Sequence, residues 1–192
     1  MWRWNYAKKT EVCLTLCDRS SWKYPTRGGS RSWLVSGCGS TVGDAVLAGP
    51  VEPVAASLAD ALAASGVLER FPELHVVMVE CGAGWLSWLL ERMDEAFEEH
   101  AQWVNPKLAE PPSSYVRRQG HVTFGNDAAG VVNRSFTGVE ALLWASDYPH
   151  PEGTWPHTRE TLDRIFNDVS ATERRTITYE TTAALYGLEA PA

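Results

Sequence analysis

Residues 51–192 predict an α/β fold built on a parallel sheet, and three observations carry that prediction. LHVVMVE, residues 74–80, is a nearly continuous apolar run of strand length, as expected for a strand covered on both faces. The segment after it, about Trp85 to Trp103, repeats Leu86, Leu90, Met93 and Phe97 along one side, with Glu91, Arg92, Glu95, Glu98 and Glu99 on the other. That is the pattern of a helix lying on a sheet. ALLWAS, residues 141–146, is another strand, and strands alternating with helices imply right-handed crossovers onto a parallel sheet.

The elements follow in order. Residues 1 to about 45 hold four of the nine tryptophans (Trp2, Trp4, Trp22, Trp33) and three cysteines, without a sustained helical or alternating period. Charge also divides there, with seven Lys/Arg and three Asp/Glu in residues 1–50 against ten and twenty-one in residues 51–192. Residues 1–50 read as an irregular segment, either a loop-rich extension or a stretch that is not native coding sequence. An Ala/Leu-rich helix is expected from Pro53 to Arg70, with Val54, Leu58, Leu62, Val67 and Leu68 marking one face. Gly82 and Gly84 permit a tight turn after the 74–80 strand. The Pro-rich stretch NPKLAEPPSS connects to a second strand, HVTFG, residues 121–125, and a short helix leads to the third, 141–146. Pro156 fits a first helical turn, and Leu162, Ile165, Phe166 and Val169 supply the stripe of a helix of about ten residues. Ser170 and Glu173 form an S-x-x-E capping box for the last helix, which Gly187 ends after Tyr186.

Composition narrows the function classes. The 192 residues, 44% hydrophobic and 21% charged, suit one globular domain. No run of about 18 apolar residues is present for a membrane span, and the start lacks the charged head, apolar stretch and cleavage site of a secretory signal, so the expected compartment is the cytoplasm. Cys13, Cys17, Cys38 and Cys81 have no CxxC spacing and predict neither a disulfide framework nor a zinc knuckle. A net charge of −7 argues against a nucleic-acid partner.

Chemistry concentrates after the third strand. Asp147 follows it directly, at the sheet edge where barrel enzymes assemble their sites. Pro149 fixes the chain beyond it, so one turn presents a carboxylate, the Tyr148 phenol and the His150 imidazole together. Asp-Tyr-Pro is equally a good turn sequence, in which the Asp bonds nearby backbone donors. Glu80, at the end of the 74–80 strand, is an acid/base candidate; otherwise it bonds strand-end donors or pairs with Arg92. His75 and His100 read as solvent-facing, and His121 and His157 are weaker substrate contacts. Trp85, Trp88 and Trp144 read as core, whereas Trp155 suits a pocket wall.

FPELHVVMVECGAGWLSWLLERMDE (71–95), then LLWASDYPHPEGTWPHTRE and AALYGL, in that order, resemble the amidohydrolase-related family. The likeness covers roughly residues 53–188 and falls in the branch that includes amino-carboxymuconate-semialdehyde decarboxylase. It implies a (β/α)-barrel of the metal-dependent hydrolase type, holding a divalent metal, usually zinc, with a His-x-His pair, a later His and an Asp. Asp147 matches that Asp, which contacts the metal and helps activate its water. The five histidines all fall after residue 74 and none forms His-x-His. Glu80 stands where the decarboxylases carry a catalytic His, which turns the expectation toward hydrolysis of a small carboxylated or ring-derived substrate, with decarboxylation as the alternative.

The regular region spans about 140 residues, against about 250 for a complete eight-stranded barrel, so the expectation is a partial barrel holding its last three strands. On this reading Asp147 is a metal ligand and catalytic, Glu80 catalytic, and Tyr148, His150 and Trp155 contact substrate. One carboxylate is too few for a tight zinc site, which leaves a non-catalytic remnant or interaction module as the reading from another class. An exposed sheet edge would then be covered by a second copy or another chain.

Overall fold

The structure, a computed structural model, describes residues 31–36, 52–103 and 105–189. The expectations for residues 1–30 and 37–50 lie outside the described residues. Four strands, β1 (Arg31–Ser36), β2 (Leu74–Val79), β3 (Gly120–Phe124) and β4 (Leu142–Trp144), form one parallel sheet in the order β1-β2-β3-β4. Each neighbour in sequence is the neighbour in space, and every pairing is parallel, with Arg31 opposite Leu74, Val76 opposite Gly120 and Val122 opposite Leu142. This is the topology of consecutive β/α units in a barrel wall. β1 corrects the expectation that residues 1–50 are irregular throughout: RSWLVS pairs along its full length with β2.

The expected helix over 53–70 is two helices, α1 (Glu52–Ala64) and α2 (Val67–Arg70), because Gly66 takes a left-handed conformation at φ 70° between them. α3 (Leu86–His100) follows β2 and buries Leu86, Leu89, Leu90 and Met93. The Pro-rich connection contains an unexpected helix, α4 (Pro112–Gln119), which starts on a proline where a missing N–H costs nothing. Asp94 of α3 accepts from the Ser113 amide at 3.0 Å and from its hydroxyl at 2.6 Å, supplying that helix start with its acceptor. α5 (Ala128–Val132), α6 (Arg134–Thr137) and a 3₁₀ turn (Val139–Ala141) lead into β4.

Beyond β4, α7 (Thr158–Ile165) begins two residues after Pro156. α8 (Ala171–Arg175) opens on the expected Ser170–Glu173 capping box, a π-helical turn (Thr176–Glu180) continues it, and α9 (Thr181–Tyr186) ends on left-handed Gly187.

Alternate strand residues enter different cores. Val76, Met78, Val122, Phe124 and Leu142 pack with Leu86, Leu90, Met93, Tyr115 and Val116 on the helix-covered face. Val77 and Leu143 point the other way and pack on Leu185 of α9. No described helix is long and apolar enough to cross a membrane.

Candidate functional site at the C-terminal edge of the sheet

β2 and β4 flank β3 and run parallel, so their C-terminal ends open at the same edge. Glu80 is the first residue past β2, and Asp147 lies three past β4. Both hold left-handed backbone, φ 56° and 58°, without being glycine. For an L-residue that conformation costs on the order of 1–2 kcal/mol, although Asp tolerates it better than most. The Glu80 amide donates to the Thr123 hydroxyl of β3 at 2.7 Å, which ties the strained residue to the middle strand.

The Asp147 turn is held by its own backbone. The His150 amide donates to the Asp147 carbonyl at 2.8 Å, Gly153 to His150 at 3.0 Å, and Thr154 to Ser146 at 2.9 Å. A Cβ on Gly153 would lie 2.8–3.0 Å from three carbonyl oxygens, those of Ser146, Asp147 and His150, so only glycine closes this loop. The loop places His150 Nδ1 3.5 Å from Asp147 Oδ2. Tyr148 and Trp155, each 67% exposed, meet edge to face with ring centroids 5.8 Å apart.

Electrostatics couple the two strand ends. The Glu80 carboxyl, though partly open to solvent, has its pKa pushed above the ordinary carboxylate value, first by desolvation and then by the negative charge of Asp147. His150 opposes the shift and Glu152 adds to it. Glu80, Asp147, His150 and Glu152 therefore form one interacting group. Arg92 is not Glu80's partner; it pairs with Glu91 and Glu95 on α3.

Other sequence expectations fare unevenly. Trp155 and Tyr148 stand exposed in the segment after Asp147, with their rings edge to face. Trp85 and Trp144 pack against the core, but Trp88 is 62% exposed, since the buried stripe of α3 runs through Leu86, Leu89, Leu90 and Met93 and leaves Trp88 outside it. His100 and His157 are exposed. His75 is not solvent-facing: strand alternation turns it away from Val76 toward β3, where its Nδ1 lies 3.0 Å from His121 Nε2.

Asp127 was missed by sequence reasoning. Its Oδ2 accepts from the Ala83 and Gly84 amides at 2.7 and 2.8 Å, and Oδ1 accepts from Gly130 at 2.9 Å, where it caps α5. This carboxylate fastens the β2–α3 turn to the segment after β3. Asp127 opening the segment 127–130 ahead of small residues was the available local signal; its reach to residues 83 and 84 was not.

A metal centre of the zinc type takes three or four protein donors. Among the described residues no group of three or more His, Cys, Asp or Glu side chains is placed to hold a metal ion. Asp147 and His150 beside it offer two donors of the right chemistry, and the described residues do not fit a complete set.

A parallel β/α sheet with carboxylates gathered at the C-terminal strand ends defines part of a (β/α)-barrel. The amidohydrolase family profile matches residues 46–188, and the chain belongs to that family. The solved 5-carboxyvanillate decarboxylase LigW from Sphingomonas paucimobilis is similar with a TM-score of 0.65 at 17% identity, over 82% of this chain and 50% of its own. A dihydroxybenzoic acid decarboxylase from Polaromonas sp. JS666, with bound manganese and 2-nitroresorcinol, gives 0.62 at 16%, over 83% and 51%. An amidohydrolase from Mycobacterium avium subsp. paratuberculosis K-10 gives 0.59 at 23%, over 71% and 34%. The chain thus spans about half the length, or less, of these solved relatives. No curated protein matches it.

Proposed function

We propose that the Glu80–Asp147 edge serves the cleavage of a carboxylate group from a small ring-bearing acid, with Glu80 as the proton donor. The observation that carries this reading is the placement of Glu80 and Asp147 in left-handed backbone just past the C-terminal ends of the strands flanking β3, where desolvation and the Asp147 charge raise the Glu80 pKa. A carboxyl whose surroundings raise its pKa is suited to act as a general acid.

In the proposed step the carbon–carboxylate bond breaks, carbon dioxide leaves, and the electron pair stays on the ring carbon. The Glu80 carboxylic acid gives that carbon its proton and becomes a carboxylate, which solvent reprotonates. The exposed rings of Tyr148 and Trp155 offer faces for a planar substrate, and His150 pairs with Asp147 beside them.

The family resemblance puts hydrolysis first, because Glu80 stands where the decarboxylases carry a His. A carboxylic acid can deliver a proton as an imidazolium does, and the raised Glu80 pKa favours that role. Two of the similar structures being decarboxylases of aromatic acids supports the same choice. The divalent metal expected from the family enters here only through Asp147, as one ligand; further donors would come from outside the described residues. That shortage favours, as a second reading, a non-catalytic module that needs a covering chain or a second copy.

Carbon dioxide release from 5-carboxyvanillate and 2,6-dihydroxybenzoate, with Mn²⁺ or Zn²⁺ added, tests the proposal. Release by the wild-type chain that falls about 100-fold or more in Glu80→Gln is expected of a lost general acid. Release indifferent to Glu80→Gln overturns Glu80's role. No release from either acid overturns catalysis by this chain and favours the module.

A further inference from the structure

At the end of the sheet opposite Glu80 and Asp147, His75 of β2 and His121 of β3 meet edge to edge, with ring centroids 5.2 Å apart and an interplanar angle of 26°. His75 Nδ1 lies 3.0 Å from His121 Nε2, and His121 Nδ1 lies 2.8 Å from the Glu140 carbonyl oxygen. His121 is 4% exposed and His75 is half-buried.

The carbonyl fixes where the hydrogens are. An oxygen acceptor requires Nδ1–H on His121, which leaves its Nε2 as a lone pair. The hydrogen between the rings must then sit on His75 Nδ1. Of the four ring nitrogens, His75 Nε2 remains as the lone pair that can take a proton.

One added proton enters at His75 Nε2, and the His75 Nδ1–H···Nε2 His121 bond survives as a stronger, charge-assisted one. The shared hydrogen can then reside on either ring. A second added proton would set two N–H groups face to face at 3.0 Å in a buried contact.

We propose that the His75–His121 pair is a single-proton acceptor built into the sheet, taking one proton at His75 Nε2 and opening the β2–β3 contact when a second is forced on it. The pair touches the 3₁₀ turn that leads into β4, and β4 carries the chain to Asp147. Among the described residues, the charged groups acting on the two rings are Glu73, ahead of β2, and Glu140, in the 3₁₀ turn, and both favour the cationic form. Burial opposes them and is the larger effect on each ring, holding His121 down to about 4.

The test is a ¹⁵N NMR titration of the histidine rings in the full chain, from pH 8 toward 4, with the exposed His100 and His157 as internal references. The expected result is uptake of one proton by the pair, both rings moving in one transition while His121 Nδ1 stays protonated throughout. In His75→Gln, whose amide can donate to His121 but takes no proton, the shared transition is lost. Two independent transitions, each ring becoming doubly protonated while the β2–β3 amides stay in place, would overturn the proposal. That result is read from the wild-type chain and does not depend on the variant folding.

Discussion

Glu80 and Asp147 occupy strained backbone at the two strand ends where their charges interact, and strain of this kind persists only where surrounding structure enforces it. A raised carboxyl pKa means that the folded state holds its proton more tightly than the unfolded chain. Its favourable contribution is present at low pH and is lost as pH rises from the ordinary carboxylate value through the raised one. Glu80→Gln should therefore raise the melting temperature at pH 7–8 by a small amount that vanishes below pH 4. The opposite sign applies to His121, whose pKa falls from 6.5 to about 4: stability is present above 6.5 and is lost as pH falls toward 4. The loss is on the order of 3 kcal/mol at about 1.4 kcal/mol per pKa unit. Denaturant melts at pH 7 and pH 4.5 should show a smaller acid loss in His121→Gln than in wild type. Asp147 and Glu80 were legible because a carboxylate directly after an apolar run reveals its place in a parallel sheet. The His75–His121 pair was not, because 46 residues separate two side chains that only the strand register brings together.

Elements whose ends are fixed by neighbours in sequence were readable, and those fixed from elsewhere were not. The Ser170–Glu173 capping box and the Gly187 stop are local, and both stand as expected. Ser170→Ala should cost about 1 kcal/mol, measured by denaturant unfolding. α4 was hidden because its sequence is Pro-rich and its first turn is bonded by Asp94, from another helix. The β2–α3 turn likewise relies on Asp127, one carboxylate accepting three backbone amides. Asp127→Ala leaves those donors without it and should cost roughly 3 kcal/mol or more, since each hydrogen bond to a charged group contributes about 1.5–3 kcal/mol. Gly130 packs against the same turn so closely that a Cβ would lie 2.4 Å from Ala83 Cβ. Gly130→Ala should destabilise by about 1–3 kcal/mol, as overpacking does, and lower the melting temperature accordingly.

At the scale of the fold, the described residues place four parallel strands in part of a barrel wall, with helices on one face and α9 against the other. Three of those strands were visible as apolar runs. β1 was not, since a six-residue strand in a segment without period is defined by its pairing to β2 alone. Family membership was visible in the order of three tracts, whereas the interaction of Glu80 with Asp147 depends on β2 and β4 standing either side of β3. That interaction is the point on which fold and proposed chemistry meet. A ¹³C NMR titration of the Glu80 carboxyl in wild type and in Asp147→Asn measures it directly. A Glu80 pKa above the ordinary carboxylate value that drops when Asp147 loses its charge is the predicted result. An ordinary Glu80 pKa, unchanged in Asp147→Asn, would contradict it.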